Sequence, residues 1–438
     1  MRTELTIDGL AQGGEGVGRC GSRTVFVPFT APGDRVAADV PEGEGTGHAT
    51  LLEILAPGSA RVEAPCRHFA GGRVEAGPPP DHHCGGCEWL HVRYEAQLAA
   101  KAGTVKEALR RIGRLEAGSY ELRPVLGSPS ALRYRSRAKF HFDRESERLA
   151  FFRRRSHAPV RLAECHLLVP GLDALREEVG PALAAVRLAP REVVLEWSDH
   201  DARGSALLAV EPTAAARGRA EGMLGRVPGL AGLVLRGEGG APALVGEPVL
   251  RHERSPGRPG DGLQRSRPDV FQQANRGANA LLVAAALELL APGGEEVLEL
   301  HCGAGNFTAA LAARARSVWA VEVLGPALDL AREDLRGAAG VRFFAGDASK
   351  VAAAFAAEGR RFGAVLLDPP REGSKGIGRV LRALGSPRAV YVSCDPATLA
   401  RDVRACLEQG YAVRTVQPVD MFPQTHHVEA VVSLERRP

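Results

Sequence analysis

The stretch that decides the fold is Glu296-Val-Leu-Glu-Leu-His-Cys-Gly303-Ala-Gly305-Asn306-Phe. An apolar run leads into a tight turn with two glycines, and an Ala/Leu-rich helical pattern follows. Strand, glycine turn and helix in this order let a ligand approach the backbone at the carboxyl end of a strand in an α/β sheet. The third glycine of the dinucleotide fingerprint is missing, so the turn alone is also compatible with a purely structural role.

Two acidic residues follow later strands of the same region. The run Val318-Trp-Ala-Val-Glu322 ends in an acid where such folds hold ribose hydroxyls, and Val341-Arg-Phe-Phe leads to Gly346-Asp347, placed to meet an adenine. From residue 279 onward, helix-like segments alternate with short apolar strands, which predicts a doubly wound parallel sheet. Glycine turn, ribose acid and adenine acid in this order are typical of the S-adenosylmethionine fold.

Three further segments combine groups that can do chemistry. A strand ends in Ser393-Cys394-Asp-Pro, another ends in Asp368-Pro-Pro-Arg371, and His426-His-Val-Glu429 opens a third. A lone cysteine is most often an inert buried thiol. Here a soft nucleophile, a polar group for a substrate and a base are predicted at the rim of one sheet, which favours a catalytic cysteine.

Composition limits the class of protein. The chain has 438 residues, 45% of them hydrophobic, and a net charge of +4, which indicates about three domains at ~150 residues each. We find neither an export signal at Met1 nor a run of the ~20 apolar residues that span a bilayer, so we expect a cytoplasmic protein without a membrane partner. No obligate protein partner is indicated.

The N-terminal and central regions are rich in predicted strands. Short strands separated by glycine turns predict a small β-barrel over residues 1–60, and residues 95–114 have helical spacing. Between Ala131 and Arg161 lie ten Arg/Lys and three acids, interleaved with aromatic residues. Phosphate contacts and base stacking would suit such a segment, and a solvated sheet face over an aromatic core is an equally good interpretation.

Six features together resemble the RNA uracil-5 methyltransferase family over nearly the whole chain. They are Phe271-Gln-Gln273-Ala-Asn275, the glycine turn, the three segments around Asp368, Cys394 and Glu429, and the cysteines Cys66, Cys84-Gly-Gly-Cys87 and Cys165. The cysteine set resembles the branch that modifies 23S ribosomal RNA and carries a 4Fe-4S cluster.

The resemblance implies a multidomain α/β protein with three domains. These are an OB-like TRAM barrel over residues 1–60, a central α+β RNA-binding domain with the iron–sulfur site over 61–265, and a Rossmann-like methyltransferase domain over 266–438. It implies methylation of uracil carbon 5 with S-adenosylmethionine, with 23S ribosomal RNA as the partner.

The resemblance also implies residue roles. Cys394 adds to carbon 6 of the uracil and Glu429 removes the carbon 5 proton. Phe271 and Asp368 contact the flipped base. The positions that match cofactor contacts are Gln273, His301, Asn306, Glu322, Asp347 and Asp368.

Alternatives remain for both the metal and the function. Four cysteines suit zinc as well as a cluster, and a Cys-x-x-Cys pair also suits redox chemistry. The seventeen residues between Cys66 and Cys84 are interpreted as a Gly/Pro-rich loop that leaves the ligands in place. The T-loop uridine of transfer RNA is the closest alternative substrate; a non-catalytic RNA-binding or assembly factor and a redox sensor are others.

Overall fold

The computed structural model describes residues 1–43, 45–69, 83–257 and 262–437. Most of the predicted loop between Cys66 and Cys84 lies outside these ranges, as do parts of the predicted turns at 42–47 and 254–262. No helix in the described ranges has the length and apolarity needed to cross a bilayer.

The N-terminal residues form a six-stranded sheet. Its strands are β1 (Arg2–Leu10), β2 (Gly16–Cys20), β3 (Arg23–Val27), β4 (Arg35–Asp39), β5 (Gly47–His48) and β6 (Thr50–Ala56). They lie in the order β5-β3-β2-β1-β4-β6, and strands β1, β3, β4 and β6 overlap the short strands predicted from the apolar runs at residues 5–7, 24–28, 35–40 and 50–55. Strand β2 was not predicted because its glycines resemble a turn. A Cβ on Gly18 would lie 2.6 Å from the Thr6 carbonyl oxygen, so this strand needs glycine to pair closely with β1.

The central region contains a mixed seven-stranded sheet. The elements α1 (Tyr94–Arg111) and β7 (Glu121–Leu122) precede it in the chain. Its strands are β8 (Arg137–Asp143), β9 (Arg148–Phe152), β10 (Pro159–Val160), β11 (Val193–Ser198), β12 (Arg203–Leu208), β13 (Leu230–Leu235) and β14 (Ala243–Gly246). Helix α2 (Pro170–Ala185) connects β10 to β11, and helix α3 (Ala214–Leu224) connects β12 to β13. The sheet order is β10-β9-β8-β11-β12-β13-β14, and a separate hairpin follows, β15 (Leu250–Glu253) and β16 (Leu263–Ser266).

Two aromatic side chains of the basic segment lie in the core. Tyr134 is 6% exposed and Phe140 is fully buried, so these rings belong to the core and are unavailable for stacking on bases. Arg154 lies 3.7 Å from Glu15 and stacks over Phe29. It therefore ties the segment to the N-terminal sheet.

The C-terminal region builds an eight-stranded sheet with helices. Its elements are α4 (Arg276–Leu290), β17 (Glu296–Leu300), α5 (Thr308–Ala312), β18 (Ser317–Glu322), α6 (Gly325–Asp334), β19 (Val341–Ala345), α7 (Ala348–Ala357), β20 (Ala364–Leu367), α8 (Ile377–Leu384), β21 (Arg388–Ser393), α9 (Pro396–Leu407), β22 (Tyr411–Val419) and β23 (Glu429–Arg436).

Strand order places the carboxyl ends of the central strands at a topological switch point. The order is β19-β18-β17-β20-β21-β23-β22-β7, and the strands from β19 to β21 are parallel. From β17 the chain first builds β18 and β19 on one side, and it then returns to build β20 and β21 on the other side. In α/β sheets, ligands bind in the crevice at the carboxyl ends of the strands where the strand order reverses in this way. The prediction of a parallel sheet is confirmed for these five strands, whereas β22 and β23 form an antiparallel hairpin.

Residues upstream of the central sheet also complete the C-terminal sheet. Strand β7 pairs with β22, and Val105 and Leu109 of α1 share a buried cluster with Leu298 and Tyr391. The segment that contains α1 and β7 therefore packs with the C-terminal sheet although it precedes the central one.

Candidate active site

Cys394 and Glu429 lie opposite each other at the rim of the sheet. Ser393, the last residue of β21, pairs with Ala430 of β23 in an antiparallel register. Cys394 directly follows Ser393, Glu429 directly precedes Ala430, and the charge of Glu429 acts on the Cys394 thiol. Asp368 follows β20, the parallel neighbour of β21. The three groups predicted from separate segments are thus brought together by strand pairing.

The Cys394 thiol has a raised pKa. Burial is the main cause, the charges of Glu429 and Asp368 add to the rise, Arg371 opposes it, and together they bring the pKa to about 12. Asp395 starts helix α9 and its carboxylate accepts hydrogen bonds from the Ala397 and Thr398 amides at 3.0 and 2.8 Å. The thiol thus lies beside a helix N-terminus whose first amides are already satisfied.

Both neighbouring carboxyls have raised pKa values. Burial raises the pKa of Glu429 to about 8, with Asp368 adding to the rise and Arg371 opposing it. Desolvation raises the pKa of Asp368 to about 7. Groups that titrate close to neutral pH suit proton transfer.

Three residues near the site were not singled out from the sequence. Arg371 is exposed, and its charge acts on Cys394 and Glu429 alike; its signal was the motif Asp368-Pro-Pro-Arg371 itself. His427 has a pKa lowered to about 4, by burial first and then by His426 and Arg371, so it is neutral at neutral pH. Glu299 in β17 is 1% exposed and burial raises its pKa to about 8.

The glycine turn is organised by Glu322. Its carboxylate accepts a hydrogen bond from the Gly303 amide on one oxygen and from the Val323 and Leu324 amides on the other, all at 2.9 Å. A carboxylate has about four acceptor positions, so capacity remains for a further donor such as a hydroxyl. Gly303 and Gly305 have φ of 55° and 82°, a conformation that favours glycine.

The other predicted cofactor residues have different surroundings. His301 lies close enough to Glu322 and Asp347 for their charges to act on its pKa, which burial lowers. Asp347 is exposed and caps α7 by accepting from the Lys350 amide at 2.9 Å. The Asn306 amide exchanges hydrogen bonds of 2.8 and 3.0 Å with Asn279, a partner that the sequence had not indicated.

The Phe271 segment lies between the hairpin β15–β16 and α4. Phe271 is 72% exposed, an unusual exposure for a phenylalanine, while Gln273 is 9% exposed. Asn275 caps α4 and donates hydrogen bonds to Ser128 and to the Met421 carbonyl. The segment therefore presents one ring to solvent from a firmly anchored backbone.

The four predicted metal-binding cysteines line one cavity of about 240 Å³. The lining includes Cys66, Cys84, Cys87 and Cys165. Burial raises the pKa of each thiol, and for Cys66, Cys84 and Cys87 the other cavity thiols add to the rise. The thiols are therefore neighbours in space, although Cys165 lies 78 residues beyond Cys87 in the chain (165 − 87).

The four cysteines are gathered around one cavity. Among the residues that the structure describes, no group of three or more His, Cys, Asp or Glu is arranged to hold a metal ion. Four thiols of this kind are the residue type that holds zinc or an iron–sulfur cluster.

Sheet order, glycine turn and strand-end acids define a Rossmann-like methyltransferase. The model of the tRNA (Uracil-5-)-methyltransferase family matches residues 262–342 and 351–437, and that of the TRAM domain matches residues 2–47. Relatives similar over 99% of this chain include the 23S rRNA (uracil(1939)-C(5))-methyltransferase RlmD of Alkalilimnicola ehrlichii, 34% identical over 96% of its length. The protein of the same name from Pseudomonas entomophila is 34% identical over 94% of its length.

The chain belongs to the RNA uracil-C5 methyltransferase family. An uncharacterized RNA methyltransferase of Halalkalibacterium halodurans is 32% identical, with 99% of this chain and 96% of the relative covered. Among solved structures, the tRNA (uracil-54, C5)-methyltransferase of Pyrococcus abyssi in complex with S-adenosyl-L-homocysteine has a TM-score of 0.74 at 22% identity, covering 99% of this chain and 100% of its own. At that identity the likeness establishes the fold.

Proposed function

We propose that the protein methylates carbon 5 of a specific uridine in 23S ribosomal RNA through a covalent intermediate on Cys394. The observation that carries the proposal is that the pairing of Ser393 with Ala430 brings the adjoining residues Cys394 and Glu429 together, with Asp368 at the end of the neighbouring strand. Nucleophile and base then lie on the same rim and meet one substrate ring.

The residue types account for the chemistry. Carbon 5 of uracil is a poor nucleophile until the Cys394 thiol gives its proton to solvent and the resulting thiolate adds to carbon 6, which breaks the 5,6 double bond and gives an enolate. S-adenosylmethionine, when bound, supplies the electrophilic methyl group. Glu429 then takes the carbon 5 proton, the double bond re-forms, and the carbon–sulfur bond breaks to release the Cys394 thiolate.

The remaining predicted residues divide between cofactor and base. We assign to the cofactor Gln273, His301, Asn306, Glu322, Asp347 and Asp368. Glu322 has acceptor capacity left for a ribose hydroxyl. Phe271 and Asp368 are assigned to the flipped uracil, because an exposed ring offers a stacking surface and a carboxyl at the rim can hydrogen-bond a base edge.

Ribosomal RNA is favoured over transfer RNA as the substrate. The relatives named for 23S ribosomal RNA match nearly the full chain at 34% identity, and they support this choice together with the match to the TRAM domain. The family model and the archaeal structural neighbour carry tRNA names, so the T-loop uridine is the second candidate. A ribosomal RNA substrate would place the enzyme in the cytoplasm.

For the cysteine cavity we propose a 4Fe-4S cluster held by Cys66, Cys84, Cys87 and Cys165. At Cys66, Cys84 and Cys87 other cavity thiols oppose ionisation, and this penalty would be lost when the thiol protons are replaced by bonds to a cationic group. The cluster would supply iron–sulfur bonds that hold these distant segments together. Zinc is the alternative, and metal analysis of anaerobically purified protein distinguishes the two.

The function is tested with labelled S-adenosylmethionine and two RNA substrates, a 23S ribosomal RNA fragment and a transfer RNA. We expect methyl incorporation at uracil in the ribosomal fragment, none with Cys394→Ala, and a methylated RNA–protein adduct that survives denaturation with Glu429→Gln. Preferential methylation of transfer RNA would show the second candidate to be right. Incorporation by Cys394→Ala would overturn the covalent route.

A further inference from the structure

The loop of residues 420–428 joins β22 to β23 and ends at Glu429. The last loop residue, Val428, directly precedes Glu429, the first residue of β23, so the path of the loop acts on where Glu429 lies relative to Cys394. The loop is therefore the element on which the placement of the proposed base depends.

Donors from four distant parts of the chain hold the loop. Four successive carbonyl oxygens, those of residues 421 to 424, each accept a hydrogen bond of 3.0 or 3.1 Å from outside the loop. The donors are the side chains of Asn275, Lys101 and Tyr134 and the backbone amides of Glu88 and Trp89.

At Asp420 the loop begins with a buried ion pair. Its carboxylate accepts from Lys101 at 2.5 Å and from Tyr94 at 2.9 Å, and both members of the ion pair are 0% exposed. Breaking a buried pair by removing one partner is costly because the other charge stays buried. Lys101 and Tyr94 both lie on helix α1, so this helix fixes the start of the loop.

Gln97 of the same helix fixes the middle of the loop. The backbone amide of Gln424 donates to Gln97 Oε1 at 3.0 Å. Gln97 Nε2 donates to Gln424 Oε1 at 2.9 Å and to the Val92 carbonyl at 2.8 Å. Gln424 has φ of 68°, uncommon for a residue other than glycine. Such a conformation persists where the surroundings determine it strongly.

The same point of the loop is bonded to the segment that follows Cys87. The Glu88 and Trp89 amides both donate to the Gln424 carbonyl at 3.0 Å, and Cys87 lines the cysteine cavity. Cys87 is thus connected to the loop through the next residue, Glu88, and its hydrogen bond to Gln424. Gln424 in turn precedes Glu429 by five residues.

We infer that the 420–428 loop is a positioning element, held by Gln97 and by the Glu88 and Trp89 amides, through which the cysteine cavity fixes Glu429 opposite Cys394. Gln97 is a positioning residue, because it acts on the base through the loop. The inference rests on the proposed function in assigning the base. It adds that the cavity supports removal of the carbon 5 proton rather than formation of the adduct.

The test compares Gln97→Leu with Gln417→Leu. Gln417 is 5% exposed and its side-chain amide also donates to two backbone carbonyls, those of Pro124 and Pro418, but it lies in β22 and outside the loop. We expect turnover of Gln97→Leu to fall ~10- to 10²-fold with an unchanged KM for RNA, because small misplacements cost that much. The denaturation-resistant adduct should accumulate, and Gln417→Leu should stay within ~2-fold of the parent protein.

Hydrogen exchange supplies a readout that needs no activity. We expect residues 420–428 to exchange at least ~10-fold faster in Gln97→Leu and in Cys84→Ser than in the parent protein, and the Gln417→Leu loop to exchange at the parent rate. The inference would be overturned if residues 420–428 exchanged at the same rate in Gln97→Leu and Gln417→Leu. It would also be overturned if folded Cys84→Ser protein kept the parental exchange rate in these residues. An absent adduct in every variant, with the exchange pattern intact, would refute the covalent mechanism and leave the loop coupling standing.

Discussion

The chain keeps functional thiols in two environments, the rim around Cys394 and the cavity lined by Cys66, Cys84, Cys87 and Cys165. Burial raises the thiol pKa in both. At the rim the neighbours are carboxyls that titrate near neutral pH and a cation, whereas Cys66, Cys84 and Cys87 each have at least one other cavity thiol that raises their pKa. A rim of this kind suits the movement of one proton at a time. The cavity suits replacement of all its protons by one cationic group.

The largest expected difference between the two environments follows from removal of the Cys394 thiol at the rim. Cys394→Ala should abolish turnover and adduct formation while leaving cofactor binding intact, because the nucleophile has no substitute. Cys406→Ala is the matched control. Cys406 is fully buried in α9, so its loss should cost about 1 kcal/mol of stability and no activity. Activity retained by Cys394→Ala in a methyl-transfer assay would show that the two environments do not differ in this way.

The second change removes one cavity thiol. Cys87→Ser should lower iron content and reduce the free energy of unfolding by more than about 4 kcal/mol, since loss of a metal site is among the largest destabilising mechanisms. Iron analysis and urea denaturation measure both effects. Cys20→Ser, at a half-buried position in β2, should keep its iron. A Cys87→Ser protein with parental iron and stability would remove the basis for the cluster.

The third prediction concerns pH. The folded pKa of Glu429, about 8, lies above the usual 4.5, so the folded state keeps a proton that the unfolded chain has lost between these values. The free energy of unfolding therefore falls as pH rises from about 4.5 to about 8, and turnover rises over the upper part of this range as the base ionises. Glu429→Gln should show a shallower fall in denaturation midpoints between pH 5 and pH 8; identical slopes would contradict the raised pKa.

The smallest expected effect concerns Asp395, the residue that follows Cys394. Its Oδ1 caps α9 through the Ala397 and Thr398 amides, and an asparagine oxygen can accept the same bonds. Asp395→Asn should change turnover less than ~2-fold, whereas Asp395→Ala should cost about 1 kcal/mol of stability. Thermal unfolding and steady-state rates of the two variants test this, and a large rate loss in Asp395→Asn would assign the carboxylate a role beyond capping.

Much of the rim could be predicted because strand ends are visible in the sequence. Apolar runs that stop at His301, Glu322, Asp368 and Cys394 correspond to β17, β18, β20 and β21, and parallel pairing then aligns their ends. Alternation of side chains does not reveal strand direction, so the antiparallel β22–β23 hairpin was not foreseen. The roles assigned to these residues stay predictions.

Long-range pairing explains what the sequence did not indicate. Helix α1 was predicted, but nothing local shows that its apolar side meets a sheet formed some 200 residues later. Tyr134 and Phe140 have the same local pattern whether they face RNA or the core. The limits 1–60, 61–265 and 266–438 likewise stay a prediction.

The bonds between α1 and the 420–428 loop also bear on how the chain is made. Tyr94 and Asp420 are 326 residues apart and Gln97 and Gln424 are 327 apart, so the helix leaves the ribosome long before its partners. At ~5–20 residues per second, that interval is roughly 15 to 65 seconds. During it Lys101 lacks the Asp420 carboxylate and Gln97 lacks Gln424. The polar side of α1 therefore reaches its native pairing only when the last tenth of the chain has been made.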